Sequence, residues 1–366
     1  MSSLRVAIVV DQLRRRAVSG IGTYATGLLL GLEALGDAAP RRVLVASRPH
    51  ERPDPLATFG LPVRSSRLPG PLLTRAWDRG LGGGVIGDDV DLVHATSLAM
   101  PPRRGRPLTV MVHDLAWRAV PEAYPRHGLR WHEAALQRAI RDASRFVVPA
   151  RAIADDLVAA GAAAPRVEVV EEGCDHLPPA DLDAAGAILD RAGVREGYLL
   201  TVSTLEPRKN LRRLVEAYAQ ARPALAEPWP LVVVGPKGWG DALPAGEVPH
   251  GVVLVGAVTD GALAGLYRRA RCFAYVPVAE GFGLPPVEAM RECVPVVAST
   301  AVPSVADAAL TVDAADVAAI SRALVTAASD ESARSSLVTA GLLRSRELTW
   351  EAAARRHVEI WGAASR

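Results

Sequence analysis

Lysine is nearly absent from this chain. Of its 42 cationic side chains only Lys209 and Lys237 are lysines; the remainder are arginines. With Ala, Gly and Pro so abundant, this reads as the drift of a GC-rich genome, which trades Lys for Arg wherever either serves. The two remaining lysines are therefore worth following. Cysteine is also scarce. Cys174, Cys272 and Cys293 are odd in number, widely spaced and without a C-x-x-C pair, which excludes a disulfide framework or a thiolate zinc site and fits a reducing cytosol. Long apolar runs are missing. The N-terminal run Val6–Val10 meets Asp11, too soon for a signal peptide, and nothing approaches the ~20 apolar residues of a bilayer span. Nor does one sign of charge dominate: 42 cations against 40 acids leave +2, which disfavours nucleic acid as a partner. A cytoplasmic protein is expected, without excluding a peripheral place at the inner face of a membrane.

What is present is length and an alternating pattern. The 366 residues suit two domains of ~150–200 residues each. Short β-branched runs alternate with helical patterns from end to end, which predicts α/β architecture built on parallel sheets. Strands are expected at 5–10, 41–47, 90–96, 108–114, 145–150 and 167–173, with helices at 21–35, 129–143 and 151–160. The strand candidates are apolar throughout, as strands covered on both faces are. The stretch 48–89, rich in Pro, Gly and Arg, resists placement. After a linker near 175–196, strands are expected at 198–203, 230–235, 251–258, 272–278, 294–300 and 309–313, separated by helices at 210–221, 260–270, 284–292, 315–328 and 331–340. The last segment, 349–361, puts Trp350, Ala354, His357, Val358 and Trp361 on one helical face. It could pack back on the first domain. Arginine clusters in the N-terminal half (Arg14–Arg16, Arg103, Arg104, Arg106, Arg126, Arg130) read either as solvated surface or as a patch for anionic lipid.

Chemistry is expected where strands give way to helices, because backbone N–H groups and the helix dipole point there. The first junction, Ser19-Gly20-Ile21-Gly22-Thr23-Tyr24, allows close approach of a phosphate or sugar at Gly20 and Gly22, although turn glycines would look the same. It comes too late after its strand for a nicotinamide-binding loop, and strand two ends in Ala46-Ser47 rather than in an acid. The second, Ser203-Thr204-Leu205-Glu206-Pro207-Arg208-Lys209-Asn210, sets two cations against a helix dipole, which a bound anion would explain. The third, Gly235-Pro236-Lys237-Gly238-Trp239-Gly240, carries the other lysine. The fourth, Glu280-Gly281-Phe282-Gly283-Leu284-Pro285-Pro286-Val287-Glu288, bares amides in a G-x-G turn and puts prolines where a missing N–H costs least. Glu280 and Glu288 read either as two acids facing one cleft or as a dipole cap and a solvated helix residue.

Glu280 and Glu288 flanking GFGLPP, preceded by STLEPRKNL and GPKGW, resemble the GT-B glycosyltransferases of family 4, which are retaining enzymes that use nucleotide sugars. VHDLAW at 112–117 with LEPRKNL and GPKGW is most similar to the bacterial mannosyltransferase-like branch. The resemblance implies two Rossmann-like, doubly wound domains facing across a cleft. These are an acceptor-binding domain at 1–178 and a nucleotide-sugar domain at 179–345, with a crossover helix at 346–366. It also implies roles. Arg208 and Lys209 would bind the donor diphosphate and Glu288 the ribose. Glu280 and the amides of Phe282, Gly283 and Leu284 would hold the donor sugar and phosphate. Gly20 and Gly22 would approach the diphosphate, His113 would face the reacting sugar, and the backbone around Val258 would hold the base. Ser203, Gly235 and Lys237 complete the donor site. Ser203-Thr204 stands where many relatives have Gly-Arg, which moves one phosphate contact to Arg208. His113, a lone histidine at a strand end, could equally serve a structural hydrogen bond.

Hexose transfer, with mannose favoured, is the implied reaction. GDP-mannose is the favoured donor, and UDP- or dTDP-sugars are the alternatives. The acceptor would be a hydroxyl on a glycan, glycolipid or small molecule. No cofactor or metal is expected, since Arg208 and Lys209 can stabilise the leaving phosphate themselves, and the nearest acidic run, Asp88-Asp89-Val90-Asp91, reads as a loop. A nucleotide-sugar epimerase of the same fold, which would convert donor alone, and a non-catalytic nucleotide-sugar-binding subunit are the competing readings.

Overall fold

The computed structural model describes residues 4–15, 20–195, 197–238 and 249–366; Arg16, Ser19, Trp239 and Gly240 of the expected motifs lie outside them. In chain order the elements are β1 (Arg5–Val9), α1 (Gly20–Ala34), β2 (Arg41–Ala46), β3 (Val63–Ser65), α2 (Gly70–Asp78), β4 (Leu92–Ala95), β5 (Leu108–Met111), α3 (Ala116–Ala119), α4 (Arg126–Asp142), β6 (Arg145–Val148), α5 (Arg151–Ala159) and β7 (Val167–Val169). There follow α6 (Leu182–Arg191), β8 (Leu199–Val202), α7 (Leu211–Ala221), β9 (Leu231–Val234), β10 (Val252–Gly256), α8 (Asp260–Arg269), β11 (Cys272–Tyr275), α9 (Leu284–Arg291), β12 (Val296–Ser299), β13 (Leu310–Val312), α10 (Val317–Ser329), α11 (Glu331–Glu347) and α12 (Trp350–Ala364). Two compact units result. One comprises Met1–Leu115, Pro125–His176 and Thr349–Arg366, the other Ala116–Tyr124 and Leu177–Leu348.

The sheet of the first unit runs β3-β2-β1-β4-β5-β6-β7, all parallel. Residues of β4 and β5 are buried throughout, which is why these strands read as continuous apolar runs. The unplaced stretch 48–89 supplies β3 at the sheet edge and α2. A strand of three residues is too short to carry a period-2 signal.

In the second unit the order is β10-β9-β8-β11-β12-β13, again parallel. The expected linker 175–196 is corrected here. It contains α6, capped by Asp181, whose carboxylate accepts the Ala184 N–H. Among the described residues no helix is long and apolar enough to cross a membrane.

The C-terminal helix α12 belongs to the first unit, where it lies along α1. Two glycines one turn apart on α1 permit this. A Cβ on Gly27 would fall 2.0 Å from the Trp350 ring, and one on Gly31 2.0 Å from the Trp350 carbonyl oxygen. The Trp350 amide donates to Asp175 Oδ1 (2.8 Å) and its indole to His176 (3.2 Å).

Below this seam runs a buried chain of hydrogen bonds. His357 Nδ1 faces the Ala353 carbonyl at 2.7 Å, which can only accept, so Nδ1 carries the proton and Nε2 accepts from the Tyr24 hydroxyl at 2.8 Å. Tyr24 oxygen then accepts from His94 Nε2 (3.0 Å), whose Nδ1 accepts from Thr109 Oγ1 (2.9 Å). The chain needs both imidazoles neutral. Burial, then the neighbouring His357 and His113, hold His94 well below the ordinary imidazole value, and burial lowers His357 to about 4.

Gly31→Ala should lower stability, because overpacking against a backbone carbonyl costs ~1–3 kcal/mol or more and outweighs the ~1 kcal/mol helix gain. Gly362→Ala, on α12, where among the described residues nothing lies within 4 Å of the added carbon, should instead be neutral or stabilising. Urea unfolding midpoints of the two variants check the pair, and equal shifts would exclude the tight seam.

Candidate functional site

In the second sheet the chain steps outward from β8 to β9 and β10, then returns to place β11 on the other side of β8. The loops leaving the carboxyl ends of β8 and β11 therefore diverge at a topological switch point, where open α/β sheets bind ligands. The β8 loop passes through a 3₁₀ turn, Pro207–Lys209, and breaks at Asn210, whose backbone is left-handed (φ +58°). That conformation frees the Asn210 side chain to donate to the carbonyls of Val276 (2.9 Å) and Ala314 (2.8 Å). The Val278 amide donates to the Arg208 carbonyl at 3.0 Å. The two loops are thus fixed to one another.

Glu280 is the centre of what they hold. Its Oε2 accepts from Lys209 Nζ (2.6 Å) and from the Tyr275 hydroxyl (2.5 Å), and Tyr275 oxygen itself accepts from Lys209 (2.6 Å). Arg208 stands 3.6 Å from Glu280 Oε1, pairs with the buried Glu206 at 3.0 Å and donates to the Ala279 carbonyl at 3.1 Å. Burial pushes the Glu280 carboxyl up, but Lys209 and Arg208, with hydrogen bonds from Lys209 and Tyr275, prevail and bring it to about 2. The cations do not wait for an external anion, as their place before α7 suggested. Glu280 and Glu206 already face them, so the formal charges of the four residues balance.

Around this cluster, Gly235 takes φ +143°, and a Cβ there would meet the Ser203 carbonyl at 2.0 Å. Leu205 and Lys237 form a bridge, so the β9 loop lies against the β8 loop, with Lys237 exposed. Ser203 is buried, and among the described residues its hydroxyl has no hydrogen-bond partner. Phe282 and Leu284 are buried beside Gly283, at φ +96° before α9.

Glu288 is not a solvated helix residue. It is 6% exposed, and its Oε2 accepts from the Tyr267 hydroxyl at 2.8 Å rather than joining Lys209. Tyr267, Phe273 and Tyr275 form a ladder of rings with centroids 5.5 and 6.3 Å apart, so each glutamate is held by a tyrosine at one end of it. Val258 lines a separate set of walls, an open cleft of about 700 Å³ between α6 and the β10–α8 loop.

In the first unit, His113 follows β5. Its Nε2 donates to the Thr96 carbonyl at 2.9 Å, and its Nδ1 lies 3.4 Å from the buried Glu172 carboxylate. Burial lowers its pKa, but the Glu172 hydrogen bond and charge raise it by more. Both ring nitrogens thus face protein acceptors. Gly20 opens α1, where among the described residues an added Cβ would meet nothing within 4 Å; Gly22, two residues further in, is buried. Arg14 is corrected from the surface patch: it is buried and paired with Asp54, Ser65 and the Ser47 carbonyl. The Asp88–Asp91 run is engaged by arginines, Asp88 by Arg106 and Asp89 by Arg5 and Arg64. Among the described residues no three His, Cys, Asp or Glu side chains gather to hold a metal ion.

The chain is similar to known proteins over most of its length. The sequence matches glycosyl transferases group 1 over residues 191–342 and glycosyltransferase family 4 over residues 18–176. It is 31% identical over 271 residues to the O-antigen chain mannosyltransferase B of Escherichia coli, covering 71% of each chain. The chain belongs to the family 4 glycosyltransferases. It is also 31% identical over 256 residues to a D-inositol 3-phosphate glycosyltransferase of Salinispora tropica, covering 62% of this chain and 52% of that one. The fold is shared with Anabaena Alr3699/HepE in complex with UDP and glucose (TM-score 0.73, 17% identity, 98% and 100% of the two chains). It is shared too with a sucrose-phosphate synthase of Thermosynechococcus elongatus (TM-score 0.72, 16% identity, 98% of both chains).

Several residues that hold these clusters together are not singled out in the sequence. Tyr275 and Tyr267 sit inside an apolar strand and an ordinary helix, and Glu206, Asn210 and Glu172 gain their meaning only from what folds against them. The one legible signal was Asn210, a residue tolerant of left-handed backbone just before a helix.

The depressed carboxyl sets a pH dependence. Because the folded pKa of Glu280 lies below its ordinary value, the stability it contributes is present above about 4.5 and is lost as pH falls through about 2. Glu280→Gln should therefore be less stable than wild type at pH 7, by on the order of 3 kcal/mol, with the gap narrowing as pH falls toward 2. Urea unfolding at pH 7 and pH 3 measures this, and a pH-independent gap would exclude a buried carboxylate as its cause.

Proposed function

We propose that this glycosyltransferase moves a hexose, mannose favoured, from a nucleotide sugar to an acceptor hydroxyl with retention of anomeric configuration. The observation that carries the reading is the Lys209–Glu280–Tyr275 cluster at the switch point, with Arg208 on the same carboxylate. An ammonium has three N–H donors. Two of Lys209's go to Glu280 and Tyr275, and the third is left for a donor phosphate. Gly283 and Leu284 offer amides at the start of α9, and Glu280 Oε1 can take a sugar hydroxyl.

As the bond between the anomeric carbon and the phosphate oxygen breaks, the ring gains positive charge and the diphosphate negative charge. Lys209, Arg208 and the α9 amides stabilise the latter as oriented donors rather than as net charge. The acceptor oxygen bonds to the anomeric carbon from the face the phosphate leaves, and its proton passes to the departing phosphate oxygen. No metal is needed for this step. The similarity to a mannosyltransferase supports a mannosyl donor, for which GDP-mannose is the favoured candidate, and the UDP complex of a fold neighbour supports UDP-sugars as the alternative. On this reading the enzyme works in the cytoplasm, and the exposed Arg103, Arg104, Arg126 and Arg130 are the side chains available to an anionic membrane face.

Lys209→Ala and Lys209→Arg should each lower kcat/KM by about 100-fold or more, as lost transition-state donors do, since a guanidinium fork does not fit where a compact ammonium sits. Near-wild-type turnover by folded Lys209→Ala would remove Lys209 from the phosphate site. Transfer should persist in excess chelator, and the product should keep the donor's anomeric configuration; strict metal dependence or inversion would overturn the mechanism. Thermal shift with GDP-, UDP- and dTDP-sugars identifies the donor, since a ligand bound only by the native state raises the melting temperature.

A further inference from the structure

The amides at the start of α9 are few, and their direction is fixed from behind. Of the first turn, Pro285 and Pro286 have no N–H. The donors at the helix entrance are therefore those of Gly283 and Leu284, with Val287 deeper in the turn. Neither Gly283 nor Leu284 donates to a group among the described residues. Ser304, fully buried in the turn after β12, holds the two carbonyls that belong to the same peptide planes. Its hydroxyl donates to the Gly283 carbonyl at 2.6 Å and its amide to the Phe282 carbonyl at 3.1 Å.

In a trans peptide the N–H points opposite to the C=O. Carbonyls of Phe282 and Gly283 drawn onto Ser304 thus turn the N–H groups of Gly283 and Leu284 away from it. The left-handed Gly283 (φ +96°) makes this possible, and a Cβ there would fall 2.6 Å from Val302 Cγ1. Ser304 is anchored in turn: Arg344 on α11 donates from Nε to the Ser304 carbonyl at 2.9 Å.

We propose that Ser304, backed by Arg344, is a positioning residue that aims the Gly283 and Leu284 amides at the terminal phosphate of a nucleoside diphosphate. This rests on the donor-site reading above and adds to it. Ser304 touches no substrate, so its effect falls on phosphate recognition and not on the nucleoside.

The test titrates wild type, Ser304→Ala and Ser304→Cys with GDP, UDP, their nucleosides and inorganic pyrophosphate, alongside thermal unfolding. Cysteine keeps the volume but is a weak donor. Both variants should bind the preferred diphosphate and pyrophosphate about 10-fold more weakly, as expected for a mis-set charge-assisted hydrogen bond, with nucleoside affinity unchanged. If Ser304→Ala does not fold, the cysteine variant decides. Wild-type diphosphate affinity in a folded variant overturns the proposal alone, and so does equal loss of nucleoside and diphosphate. If wild type binds no diphosphate or pyrophosphate, the donor-site reading falls and the proposal with it.

Discussion

A buried carboxylate needs its counter-charge. Glu280 sits at the carboxyl edge of the second sheet in surroundings that penalise its ionised form, and it stays ionised because Lys209, Arg208 and Tyr275 surround it. Breaking such a pair by removing one partner costs several kcal/mol, since it strands the other charge. The arrangement therefore binds the β8 and β11 loops into one piece, with Asn210 and the Val278 amide closing the remaining gaps. The same groups that keep the loops folded are those a donor phosphate and sugar would meet. On the proposed reading, structure and chemistry would use a single set of side chains.

On the same reading, that economy would account for the lysine. Three tetrahedral N–H donors can serve a carboxylate, a phenol and a ligand from one compact centre, which a planar guanidinium cannot do. Lys237 has no comparable burial: it is exposed, and what ties it to the site is its backbone bridge to Leu205. Retaining lysine in an arginine-rich chain has a physical reason at one position and none visible in the structure at the other.

The strand–loop–helix punctuation made much of the fold legible, because parallel strands buried on both faces leave unbroken apolar runs. It failed where the elements were short or atypical. The three residues of β3 hold no period, and α6 is written in Ala, Gly and Asp after a Pro-Pro pair. At the site, Arg208, Lys209, Glu280 and Gly283 could be named because their residue types are unusual for their places. Tyr267 and Tyr275 could not, since an aromatic in such a place is normally core, and only the packing of α8 on α9 and the turn after β11 make them carboxylate partners. Glu288 was legible as a residue but not in its surroundings, because burial of one helix face depends on a neighbour far away in sequence.

The glycine seam between α1 and α12 has a consequence for how the chain is made. The first unit is written mostly before residue 177, yet its surface is completed by a helix that begins at Trp350. During synthesis the whole second unit must leave the ribosome before Gly27 and Gly31 receive their partner. Until then the apolar stripe of α1 and the Tyr24 hydroxyl stand open to water. Contacts so distant in sequence form late and slow the search. The second unit, continuous from Leu177 to Leu348 apart from one short segment, can assemble earlier. The turns of α12 are thus among the elements that the first-made part of the first unit waits for.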